Sequence, residues 1–120
     1  MADVLIDGDD LVVKLSGLEK LEAVHGDLRV PLSAVQAVEV VDRPLDLIQG
    51  MKLPGTGIPG RTAVGTWVSA DGSTFAVEHH ASRGIVIRLA GQDYSQLVIG
   101  CDSPEEVAQR VRAASPGGAS

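Results

Sequence analysis

Short apolar-rich runs bounded by polar and turn residues dominate this chain, and they predict strands. Val4–Asp7 and Leu11–Leu15 flank Gly8-Asp9-Asp10 and read as a hairpin. Leu28–Leu32 and Ala37–Asp42 follow. Arg61–Ser69 and Thr74–His79 surround Asp71-Gly72, a pair that tolerates the positive φ of a tight hairpin turn. Ile85–Ala90 and Tyr94–Cys101 surround Gly91-Gln92, a further turn. Short strands punctuated by turns at this spacing predict a barrel or a sandwich.

Two stretches change period. Ser16-Gly17-Leu18-Glu19 has the form of a capping box, in which the serine hydroxyl and the glutamate satisfy exposed amides. Leu18, Leu21 and Val24 then recur at helical spacing, and Gly26 is a natural stop. Near the C-terminus Ser103 stands as a cap, Pro104 opens the first turn, and Glu105 and Glu106 suit its positive end. Val107, Ala108, Val111 and Ala114 form a narrow apolar stripe, and Arg110 and Arg112 lie toward the negative end. Such a stripe suits a helix that closes one end of a small barrel. Ser115–Ser120 is expected to be a disordered tail. With no repeat or linker, residues 1–114 read as one domain of mainly β, α+β class.

Composition narrows the partners. The chain has a net charge of −6, and Trp67, Phe75 and Tyr94 are its aromatic residues. Nucleic-acid binders need a basic face and stacking platforms, so nucleic acid is not an expected partner. An anionic membrane surface is disfavoured by the same charge. No apolar run approaches the ~18 residues of a membrane span. The start, Met1-Ala2-Asp3-Val4-Leu5-Ile6-Asp7, is acidic and unlike a secretion signal. The lone Cys101 excludes an internal disulfide and closes a strand-like run, so it reads as a structural thiol. A cytoplasmic location follows as an expectation.

Particular residues carry a family resemblance. They are His25-Gly26-Asp27-Leu28-Arg29-Val30-Pro31-Leu32-Ser33-Ala34-Val35, Val38-Glu39-Val40-Val41-Asp42 and Pro54-Gly55-Thr56-Gly57-Ile58-Pro59-Gly60. Val64-Gly65-Thr66-Trp67 and Asp102-Ser103-Pro104-Glu105 continue them. In this layout the chain resembles a largely uncharacterised bacterial family of pleckstrin-homology-like (PH-like) domains, from about Leu11 to Ala113. The resemblance implies a bent barrel of seven or eight short antiparallel strands capped by a C-terminal helix. It implies a scaffold and no reaction. Phosphoinositide-binding relatives cluster Lys and Arg near their first hairpin. Here that hairpin reads Asp7-Gly8-Asp9-Asp10, which repels phosphate, so phosphoinositide is not an expected ligand.

Candidate chemistry is sparse. Gly55 and Gly60 followed by Arg61-Thr62 approach a phosphate-binding loop. That loop needs lysine at the Arg61 position and a helix after it, whereas Ala63–Val68 is strand-like. His79 and His80 are adjacent on a strand and point to opposite faces, so with His25 they make no zinc set. The Asp7–Asp10 turn lacks the ligand spacing of a calcium loop. None of Ser33, Ser69, Ser73, Ser82 and Ser95 lies in a Gly-x-Ser-x-Gly elbow. A non-enzymatic protein without cofactor or metal is the expectation.

The segment Gly50–Trp67 combines glycines and prolines with large apolar residues, which marks a shaped loop. Leu45, Leu47, Ile48, Met51, Leu53 and Ile58 are too many apolar side chains to leave in water. Either they fold back over the strands or part of them forms an interface, with Lys52 and Arg61 as a polar rim. The candidate interaction loop is therefore Leu47, Ile48, Met51, Lys52, Leu53, Ile58 and Arg61. The expected function is a protein-interaction or self-association module, acting through this loop or an unpaired strand edge. The alternative is a small-ligand or lipid-binding domain using the open end of the barrel, with an enzyme as a distant third.

Overall fold

The computed structural model describes residues 3–15, 27–44, 48, 51–52, 62–70, 72–79 and 83–115. Nine strands and one α-helix occur among them: β1 (Asp3–Asp7), β2 (Asp10–Lys14), β3 (Leu28–Pro31), β4 (Val35–Val41), β5 (Met51–Lys52), β6 (Thr62–Ser69), β7 (Gly72–His79), β8 (Gly84–Leu89), β9 (Gln96–Gly100) and α1 (Pro104–Ala114). All eight expected strands are present, and β5 is the addition. The helix expected after Ser16 lies outside the described residues. Its flanks are tied together, because the Leu15 amide donates to Asp27 Oδ1 at 2.9 Å.

The strands form two sheets. β1, β2 and β3 make a three-stranded antiparallel sheet. The larger sheet runs β4-β8-β9-β7-β6, with the two residues of β5 extending its β6 edge. Among the described residues no ladder joins the two sheets, so the strands do not close into a barrel.

One pairing departs from the antiparallel expectation: β7 and β9 run parallel, with Phe75 opposite Leu97 and Val77 opposite Ile99. β9 lies between β7 and β8, which follow one another in sequence. The physical reason is burial. Leu97, Val98 and Ile99 are all fully buried, and so are Ile85, Val86 and Ile87. A strand that is apolar on consecutive residues needs cover on both faces, and β9 has it, with Leu97 and Ile99 in one buried cluster and Val98 in another. As β9 leaves the sheet, the Cys101 amide donates to the Arg83 carbonyl at 3.0 Å.

The main core lies where the small sheet and α1 cover one face of the large sheet. Leu11 and Val13 of β2 meet Phe75, Val77, Ile85, Ile87, Leu97 and Ile99 there, with Ala108 and Val111 of α1. The helix begins where expected, after Ser103, but that serine makes no side-chain capping bond. Pro104 and the two following glutamates are what mark its start. Arg112 near its other end donates a hydrogen bond to the Val38 carbonyl. This covers an edge group of β4, which pairs only with β8 among the described strands. The opposite face of the large sheet carries a second buried cluster of Ala76, Val86 and Val98.

Candidate interaction surface

The residues of the expected interaction loop divide. Ile48 is half-buried and packs with Val41 and Trp67 against Ala76, Val86 and Val98. Met51 and Lys52 form β5, opposite Val68 and Trp67. Leu47, Leu53, Ile58 and Arg61 lie outside the described residues.

A second candidate surface lies on β1, whose residues were not singled out as a site in the sequence. Gly8 takes φ 61, and the two-residue Gly8-Asp9 turn sets Asp7 opposite Asp10. Leu5 then faces Val12, and Asp3 faces Lys14. In a two-residue hairpin the flanking residues exchange hydrogen bonds, and every second pair does so thereafter. Asp3, Leu5 and Asp7 therefore use their amides and carbonyls on β2. Those of Val4 and Ile6 point the other way, toward the free edge. Among the described residues β1 pairs only with β2.

This edge strand is apolar on consecutive residues, like the central strands, yet it is not covered like them. Leu5 is 41% exposed and Ile6 37%, while Val4 is buried. The legible signal is Val4-Leu5-Ile6, an unbroken apolar triplet where a half-covered strand should alternate. Sequence alone does not say that this triplet sits at an edge.

Two shallow cavities flank the strand. One, of about 590 Å³, lies over the outer face of the small sheet, on a floor of Leu5 and Val12 with Lys14, Arg29 and Arg110 around it. The other, of about 310 Å³, separates β1 from the start of α1. It is lined by Asp3, Val4, Leu5, Cys101, Asp102, Ser103, Val107 and Arg110. Arg29 donates to Asp7 at 2.8 Å and to Asp10 at 2.9 Å across the outer face. These bonds raise the Arg29 pKa further and tie β3 to the first hairpin. The acidic turn is thus an arginine clamp.

A similar clamp holds α1. Arg83 donates to Asp42 Oδ1 at 3.1 Å and to Glu105 Oε1 at 3.2 Å. The hydrogen bonds from Arg83 hold the Glu105 carboxyl below its ordinary pKa. A lowered folded-state pKa means stabilisation that is present above the ordinary carboxylate range and lost as pH falls through the folded value. The melting temperature of Glu105→Gln is therefore expected to lie slightly below wild type at pH 7, and the gap to close below about pH 4. Melting curves of both proteins across that range check this; a gap that widens in acid would refute it.

Cys101 is buried, and its thiol contacts the Ile99 carbonyl at 3.9 Å. Among the described residues no helix is long and apolar enough to cross a membrane. No protein family, curated protein or solved structure was found to match this chain. A functional reading therefore starts from these surfaces.

Proposed function

We propose that this chain is a non-enzymatic protein-interaction module that acts in the cytoplasm and docks its partner on the free edge of β1. The observation that carries this reading is the pair of exposed apolar residues Leu5 and Ile6 on a strand whose second edge takes no partner strand among the described residues. An exposed apolar edge is the surface that recruits an additional strand. The scaffold we take as PH-like, on the strength of its successive hairpins and of a C-terminal helix packed on β4 and β8. The parallel β7–β9 pair and the two separate sheets are this chain's own departures from that plan.

A photo-reactive benzoylphenylalanine in place of Leu5 is expected to give discrete protein adducts in native cells. The same group in place of Gln109, exposed on α1, should give none. The mass of each adduct separates a second copy from another protein. Absence of adducts at position 5 would overturn the reading.

A second reading has one observation in its favour. The cavity of about 590 Å³ combines an apolar floor with charges of both signs, Asp7 and Asp27 beside Lys14, Arg29 and Arg110. That arrangement suits a small amphipathic ligand.

A further inference from the structure

We infer that the β1 edge takes an extended segment in which three apolar residues stand between two basic ones, a partner strand of the form Lys/Arg–apolar–apolar–apolar–Lys/Arg. This rests on the strand-docking reading above and adds the chemistry of the partner. The edge offers the amides and carbonyls of Val4 and Ile6, two residues apart, which is the spacing an added strand uses. A partner residue opposite Leu5 extends the apolar row Leu5–Val12 on the outer face. A partner residue opposite Val4 points to the other face, where the cleft of about 310 Å³ offers Val107 and Cys101 as apolar walls. The partner positions two residues either side of the one opposite Leu5 face Asp3 and Asp7.

Those two aspartates select against a second copy. When the whole of β1 pairs antiparallel with itself, Leu5 meets Leu5 and Asp3 meets Asp7 at both ends. Like charges directly opposite are destabilising, and opposite charges stabilise. Asp102, which also lines the cleft, adds to the negative field, with Arg110 as its counterweight. Arg29 already shares Asp7, so the Asp3 end carries more of the selection. The net charge of −6 also speeds encounter with a basic segment.

The test uses the full chain and dye-labelled peptides with Lys-Val-Ile-Val-Lys or Glu-Val-Ile-Val-Glu at their centre, followed by fluorescence anisotropy. The basic peptide should bind roughly tenfold more tightly than the acidic one, and less tightly as salt rises. Asp3→Lys, on an exposed residue at the strand's start, should narrow or reverse that preference. Ile6→Pro removes a free-edge amide that β2 does not use, so binding should vanish while circular dichroism stays native. Equal affinity for the two peptides, or no binding of the basic one, would overturn the inference. So would a wild-type dimer in light scattering that Ile6→Pro dissolves, because the second copy would then be the occupant. If position 5 cross-links to a partner in cells while the peptides show no charge preference, only the partner chemistry fails. If neither assay gives a signal, the strand-docking reading fails with it.

Discussion

Alanine in place of Phe75 is expected to lower the unfolding free energy by about 4 kcal/mol and the melting temperature by roughly 15 °C. Phe75 is fully buried and is the largest such side chain among the described residues. It sits in β7 between β6 and β9, opposite Thr66 and Leu97. Its ring lies 5.4 Å from that of Tyr94 at a tilt of 55°, a favourable aromatic geometry. Tyr94, the aromatic neighbour, is held by the hydrogen bond between its hydroxyl and Thr66 Oγ1 at 3.3 Å, so it does not move in to refill the space. The cost therefore combines lost transfer free energy with a residual cavity. Because whole domains are stable by only about 5–15 kcal/mol, the variant should be marginal at 37 °C. Urea titration followed by circular dichroism measures the loss. A change under about 1 kcal/mol would mean that the core collapses around the gap, and that Phe75 does not organise it.

The second large effect is expected at Gly84, where the first residue of β8 leaves no room for a side chain. A Cβ there would lie 2.3 Å from the Ile99 carbonyl oxygen, 2.9 Å from Pro44 Cγ and 3.0 Å from Gly100 Cα. A flexible side chain would swing aside, but a carbonyl belonging to the central strand cannot. Gly84→Ala is expected to cost about 3 kcal/mol, at the upper end of ordinary single substitutions. The damage should concentrate where β8 meets β9, because Gly84 is paired with Gly100 and Val41. Hydrogen exchange at Ile85 and Ile99 should accelerate more than at Leu11 or Val13 in the small sheet. Uniform acceleration would show that the two sheets unfold as one unit. A native-like melting temperature would show that β8 and β9 separate here with little resistance.

These two positions differ in how legible they were. Phe75 stands in the strand-like run Thr74–His79 after the Asp71-Gly72 turn, so local sequence already places it in a strand. Nothing local to Gly84 announces the carbonyl of Ile99, fifteen residues further on. The same divide runs through the candidate surface. Gly8-Asp9 fixes the first hairpin and its register, because a short turn leaves no choice of partner residues. Whether the third strand then covers β2 on its other side is a matter of packing. The loop from Leu47 to Arg61 stands out in the sequence because its composition is unusual. The structure shows Ile48 of that loop against the sheet and draws attention to β1 instead, whose composition is ordinary.

What the sequence by itself determined is therefore the set of elements. Each expected strand among the described residues follows from a short apolar-rich run and the turn chemistry that bounds it, and α1 follows from Pro104, its two glutamates and its apolar stripe. These are interactions between residues a few positions apart, which local physics decides. Only the tertiary structure decided neighbours. Val4-Leu5-Ile6 and Leu97-Val98-Ile99 are both unbroken apolar triplets, yet one lies at an edge of the small sheet and the other between β8 and β7 inside the larger one. Which triplet is covered on both faces depends on how much apolar surface the whole chain can bury at once, and no window of sequence contains that sum.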